Sequence, residues 1–243
     1  MSEDRDREPS PNVQAKRAEK KEKYIAAARE LISQSGIAEA SVHGLARKLG
    51  LSPAALYWYF PSREALIGEV QRRVFSEIAQ EYRARAESIA ARLRDRGGDP
   101  AVCSLTVLLG LAQYYLEMPT RKPEQARVIG FSLDPRVWLN EEEGARFAPV
   151  LAQLFREVML PFHHAAEVGA LKAGAAPIRA VQFWAALQGL VQTAKLDRLA
   201  PGLFDAVKLG MESAATLLLG WGAQEATLSA ARALWLEIAG ELD

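Results

Sequence analysis

Residues 41–66, SVHGLARKLGLSPAALYWYFPSREAL, constrain this chain more than any other stretch, because they specify two short helices held at a fixed angle. Val42, Leu45, Ala46 and Leu49 fall at i, i+3, i+4 and i+7, one apolar face of a short helix. Gly50 stands where helices often end in a left-handed residue, a conformation glycine adopts without a Cβ penalty. Ser52 and Pro53 restart the chain, the hydroxyl as a cap for orphan N–H groups and the proline preset at the first helical position. The spacing predicts a second helix over 53–59, with Leu56 inward and Tyr57, Trp58 and Tyr59 outward. Helix, glycine turn and second helix together form a helix-turn-helix, the arrangement that places its second helix in the DNA major groove.

These residues resemble the N-terminal DNA-binding domain of the TetR (tetracycline-repressor) family of bacterial transcriptional regulators. The resemblance is carried by Gly36-Ile37 after the first helix, Ser41 as the second cap, Leu45-Ala46, and the run from Lys48 through Leu49, Gly50 and Leu51 to Ser52. It continues through Ala55 to Phe60 and Ser62 to Leu66, and covers roughly residues 24–72. Tyr59 stands where most members carry histidine, and Ala54 where many carry glycine or proline. The resemblance implies an all-α fold: a three-helix DNA-binding domain joined by a long helix to a helical ligand-binding and dimerisation domain. The expected division is a disordered basic arm over 1–23, the DNA-binding domain over 24–72, and a regulatory and dimerisation domain over 73–243.

Composition agrees with this division. The 243 residues suit one small and one medium domain, and the 49% hydrophobic and 25% charged content is that of an ordinary globular protein. Net charge is zero, yet residues 14–73 hold 11 Lys/Arg against 6 Asp/Glu, a local +5 on the part that would dock to phosphates. A lone cysteine, Cys103, forms no intramolecular disulfide and fits a reducing compartment. The charged first 24 residues lack a signal peptide's apolar region, and no uncharged apolar stretch reaches the ~20 residues of a membrane span. A cytoplasmic protein with no membrane partner is expected.

Lys16, Arg17, Lys20, Lys21 and Lys23 lead into a first helix whose buried stripe is Ile25, Ala28, Leu31 and Ile32. Such a basic lead-in either lies along DNA or is a solvated, solubilising segment. Ser62 caps a long helix through Leu66, Val70, Val74 and Ile78 to about Leu93, and the Asp95–Pro100 stretch breaks it. Only helical patterns follow, over roughly 101–117, 123–133, 142–170, 177–196, 202–221 and 225–241.

By resemblance, Val42, His43, Pro53, Ala54, Ala55 and Tyr57 face the major groove, the alanines and Val42 suiting thymine methyl groups and His43 donating to guanine or phosphate. Ser52, Trp58, Tyr59 and Arg63 have the hydroxyls, indole N–H and guanidinium of phosphate positioners. Phe60 is assigned to the core.

In the C-terminal half Phe204, Val207, Met211, Ala214, Leu218 and Trp221 repeat at spacings of three and four, a seam along one helix. Ala185 and Gly189 permit close approach on the preceding helix. The resemblance implies that these two helices make a four-helix homodimer interface, with Ala185, Gly189, Val207, Met211, Ala214 and Leu218 in it; burial in the chain's own core is the alternative. A further helix with Leu228, Ala231, Trp235, Ile238 and Leu242 on one face either covers that interface or caps the core.

Phe131, Trp138, Phe155, Met159, His163, Trp184 and Gln188 are the candidate lining of a small-molecule pocket, aromatic with a few polar groups. Pro161 should bend the helix over 142–170 and free the Glu157 carbonyl. Three histidines and one cysteine, without ligand spacing, point to no metal site and no cofactor, and Cys103 reads as a structural thiol. No hydrolase, nucleotide-binding, metalloprotease or dinucleotide signature is present, so no enzymatic activity is expected. The resulting expectation is a repressor that binds a pseudo-palindromic double-stranded DNA operator as a homodimer and is released by a small hydrophobic or aromatic effector of unknown identity. A regulator without a ligand, or an activator, is the alternative.

Overall fold

The structure is a computed structural model that describes residues 11–134 and 139–240. Among the described residues it has ten α-helices, two short 3-10 segments and no strand. The helices are α1 (Pro11–Ser35), α2 (Val42–Leu49), α3 (Pro53–Tyr57), α4 (Arg63–Arg96), α5 (Pro100–Arg121), α6 (Pro123–Ser132), α7 (Glu141–Glu167), α8 (Ala176–Thr193), α9 (Ala206–Gly220) and α10 (Glu225–Ala239). The expected arm over 1–23 is therefore corrected: α1 begins at Pro11, and residues 1–10 lie outside the described residues. A run rich in Lys, Glu and Ala favours helix locally, and the Lys23–Glu19 pair at 2.7 Å is an i, i+4 bridge within it.

Two compact units emerge. Among the described residues the N-terminal unit comprises 11–73 together with 127–134 and 139–145, the latter two expected from the sequence in the C-terminal domain. Ile25, Ala28, Leu31 and Ile32 of α1, Leu45 and Ala46 of α2, Leu56 of α3, Phe60, and Leu66 and Val70 of α4 are buried, as their spacing requires. Val128, Ile129 and Phe131 are also buried in this unit. Polar ties hold the second segment to the first: Gln71 donates to Ser132 Oγ at 2.9 Å, and Arg127 donates to Ser33 Oγ at 2.6 Å. Arg72 bridges Glu69 and the buried Glu143, the latter at 2.6 Å. Lys21 reaches Glu69 at 2.6 Å.

Among the described residues the C-terminal unit comprises 74–126 and 146–240, with α5 packed against α10, α9 and α8. By length and hydropathy α5 could cross a membrane, but most of its apolar stretch is buried in this core. Close contact explains two glycines: a Cβ at Gly110 would stand 2.7 Å from the Trp235 ring, and one at Gly210 would stand 2.4 Å from Leu116. Trp235 also donates its indole N–H to Gln113 Oε1 at 2.7 Å, so α10 seals the core of its own unit. Leu242 lies outside the described residues.

The expected dimer seam divides. Ala214 and Leu218 are fully buried in their own unit, which corrects their assignment to a partner-facing surface. Val207 and Met211 are half-buried, and Ala185 and Gly189 of α8 are exposed. The 3-4 spacing identified an apolar stripe, but a stripe does not say whose core it enters.

Candidate nucleic-acid interface and effector region

The helix-turn-helix is assembled from local hydrogen bonds. Ser41 Oγ accepts the Gly44 N–H at 3.0 Å and caps α2, which ends at Gly50 with φ +66°. Ser52 Oγ accepts the Ala55 N–H at 3.4 Å, and Pro53 opens α3. The predicted helix over 53–59 is shorter in the structure, ending at Tyr57, with Trp58 and Tyr59 in a turn that carries Phe60 into the core. Ala54, Ala55 and Tyr57 are exposed along α3, and His43 is exposed on α2. His43 Nε2 stands 3.4 Å from the Tyr57 hydroxyl, with the two rings edge-on.

Behind this face the aromatics are ordered by one another. Tyr59 meets Tyr24 of α1 edge-on with ring centres 5.0 Å apart, and Trp58 meets Tyr59 at 4.9 Å. The Arg17 guanidinium lies 3.5 Å from the centre of the Trp58 ring. A cation over the face of an exposed tryptophan is attracted by the ring quadrupole. This contact brings the basic run of α1 beside the recognition helix. The sequence showed the charge at Arg17 but carried no signal for its partner.

Comparison with known proteins agrees with this geometry. Residues 25–70 match the profile described as bacterial regulatory proteins, tetR family. They form a TetR-family DNA-binding domain. The chain is 26% identical over 137 residues to the HTH-type transcriptional regulator BetI of Stenotrophomonas maltophilia, a match spanning 56% of this chain and 60% of that relative's length. Its fold is similar to that of SmeT, the repressor of the Stenotrophomonas maltophilia multidrug efflux pump SmeDEF, with 18% identity, a TM-score of 0.58, and coverage of 85% of this chain and 92% of that one. It is also similar to the fatty acid degradation regulator FadR of Bacillus halodurans, with 16% identity, a TM-score of 0.61, and coverage of 90% and 100%.

Within the TetR-type domain two expected DNA contacts are corrected. Val42 is 3% exposed and belongs to the core beside Leu45, so it offers no methyl group to a base. Arg63 donates from Nε to the Ala40 carbonyl at 3.0 Å and from its terminal nitrogen to the Ile37 carbonyl at 2.9 Å. These bonds make Arg63 a brace that fastens the start of α4 to the turn before α2. Ser52 and Trp58 stay exposed, Pro53 is half-buried at the start of α3, and Tyr59 is half-buried.

The effector region expected in the C-terminal half is gathered only in part. Trp184 donates its indole N–H to the Tyr115 hydroxyl at 2.9 Å, and Tyr115 donates to Gln188 Oε1. Burial pushes the Tyr115 phenol well up in pKa despite the Trp184 donor, so it remains a neutral donor. With Tyr82, Phe162 and Phe183 these rings enclose a cavity of about 30 Å³, room for about one water molecule. Tyr115 was not among the expected lining residues; its adjacency to Tyr114 hid which ring faced inward.

The other expected lining residues lie elsewhere. Phe131 is buried in the N-terminal unit, and Trp138 lies outside the described residues. Phe155 and Met159 are half-buried on α7 and line neither this cavity nor the groove described below. His163 is exposed and pairs with Glu167 at 3.3 Å, because the inward positions of that turn are taken by Phe162 and Ala165. A wider, open groove of about 610 Å³ lies between α4, α5 and α7. Among the described residues no group of three His, Cys, Asp or Glu is placed to hold a metal ion. Cys103 is half-buried, and burial followed by the Asp99 carboxylate raises its thiol pKa.

Proposed function

We propose that this protein is a cytoplasmic, non-enzymatic, sequence-specific repressor that binds a pseudo-palindromic operator as a homodimer and is released by a small-molecule effector. One observation carries the reading: α3 is capped at Ser52, braced through Phe60, and leaves Ala54, Ala55 and Tyr57 exposed beside His43. Small and aromatic side chains on a rigid short helix read thymine methyl groups and local shape, while Lys16, Lys20 and Arg17 supply phosphate contacts. Dimerisation through α8 is supported by a continuous exposed stripe of Ile178, Val181, Ala185 and Gly189. Val207 and Met211 of α9 extend it. Two recognition helices then engage half-sites about 34–36 Å apart or at a multiple.

Selection of bound fragments from a random DNA pool tests this. A two-fold symmetric consensus, bound with a steep negative salt slope, is expected. Binding without any consensus overturns it. A second reading, a regulator with no small-molecule ligand, is favoured by the cavity lined by Tyr115, Phe162 and Trp184, which its own side chains nearly fill.

A further inference from the structure

The open groove of the C-terminal unit has a direction. Phe75 and Phe147 stack edge-on at 5.0 Å and Arg83 pairs with Glu157, so α4 and α7 run side by side in the same sense. Tyr114 bonds Glu81 while Gly110 abuts Ile89, so α5 runs the other way. One end of the groove is therefore closed by the Arg83–Glu157 pair, and the other holds Arg94 and Ser104. Between them Ala86, Ala90, Val107 and Leu160 form an apolar strip. From Ala86 to Arg94 is about 12 Å at the helical rise.

The two polar residues at the far end lack partners. Ser104 is 3% exposed and lines the groove, and its hydroxyl has no hydrogen-bond partner. Buried hydroxyls are almost always bonded, so this one, unbonded at the wall of a groove, has its bonding capacity left for a group that enters the groove. Arg94 has no carboxylate within ion-pair distance among the described residues, whereas Arg83 in the same groove is neutralised by Glu157. Arg156 also lines the groove but sits next to Glu157 at the other end. At the far end one uncompensated cation, one unbonded hydroxyl and an adjoining apolar strip complement a monoanionic head on an apolar chain.

We propose that this groove binds an amphipathic organic carboxylate, its head on Ser104 and Arg94 and its chain along Ala90, Val107 and Leu160. This site replaces the nearly filled aromatic cavity as the effector site, and in that respect it rests on the effector-controlled reading above.

Octanoate and its neutral counterpart 1-octanol, titrated calorimetrically into the full-length protein, are the probes. Octanoate binds at one site per chain and 1-octanol at least about tenfold more weakly. Arg94→Gln weakens octanoate about tenfold and Ser104→Ala about threefold. Ala90→Trp fills the strip and abolishes binding, with circular dichroism melts confirming that each variant folds. No octanoate binding, equal binding of the two probes, or binding that survives Ala90→Trp overturns the proposal. The same octanoate series is then run against the selected DNA. Octanoate that binds as stated but leaves DNA affinity unchanged upholds the groove and overturns effector control. A compound that releases DNA equally from the wild type and from Ala90→Trp does the reverse.

Discussion

Two clusters of aromatic residues divide the labour of this chain. Tyr57 and Trp58 in the N-terminal unit are 42% and 58% exposed, and edge contacts, the Tyr57–His43 contact and the Arg17 stack order their neighbourhood. Tyr82, Tyr115, Phe162 and Phe183 in the C-terminal unit are each less than a tenth exposed and meet around a nearly filled cavity. Aromatic area removed from water stabilises the fold, whereas aromatic area left in water on a rigid turn is available to a partner. The same residue type thus supplies stability in one unit and, on the proposed reading, a surface for recognition in the other.

The largest expected effect separates these roles. Phe162→Ala removes a ring that is 2% exposed and stacked edge-on against Phe183 and Trp221. It should cost about 3–5 kcal/mol in urea denaturation. Trp58→Ala should cost under about 1 kcal/mol, as a mostly exposed residue does, while weakening operator binding. If the two variants lose equal stability, the division fails.

Next comes the backbone that holds the exposed cluster in place. A Cβ at Gly44 would stand 2.3 Å from the Glu39 carbonyl oxygen and 3.2 Å from Ser41 Oγ, so the turn and the cap of α2 must both move. Gly44→Ala should destabilise the N-terminal unit by about 1–3 kcal/mol, the usual cost of overpacking. DNA affinity should fall further than in Trp58→Ala. Hydrogen exchange at the α2 amides checks this, since unchanged protection would show that the turn absorbs the methyl group.

The correction at Arg63 gives the third test. As a brace to the Ala40 and Ile37 carbonyls, Arg63→Ala should lower stability by about 1–2 kcal/mol, reduced from a buried value by its exposure, without changing the salt slope of DNA binding. Lys20, which has no ion-pair partner among the described residues, should behave oppositely. Lys20→Ala should lower the slope by about 1 and leave stability unchanged. A reduced slope in Arg63→Ala would return that residue to the phosphates.

These contrasts show why one unit was legible in the sequence and the other was not. Ser41, Gly50, Ser52, Pro53 and Ser62 act within three or four residues of themselves, so their caps and turns appear in the structure as spacing predicts. Val42 was read as both core and groove, and only its burial beside Leu45 resolves the conflict. The C-terminal sites depend on contacts between distant residues. Tyr115 meets Gln188 across 73 positions, and the solitary hydroxyl of Ser104 follows from how three helices frame a groove. Periodicity marked Ala214 and Leu218 as apolar but could not choose between a partner and their own unit.

The smallest effect is the most discriminating for the exposed cluster. Arg17 touches Trp58 from a helix that sequence composition alone would leave as a charged lead-in. If the stack serves only to bury ring area, Arg17→Leu should retain both stability and DNA affinity. If its cation matters, Arg17→Leu loses the ring–cation attraction, about 0.5–1 kcal/mol at an exposed site. It then also loses one phosphate contact and about one unit of salt slope. Arg17→Lys keeps charge but not the planar face that stacks, and should recover the slope more fully than the stability. Equal recovery of both in Arg17→Lys would reduce the contact to charge alone, and would make Trp58 an independent contact instead of one half of a stacked pair.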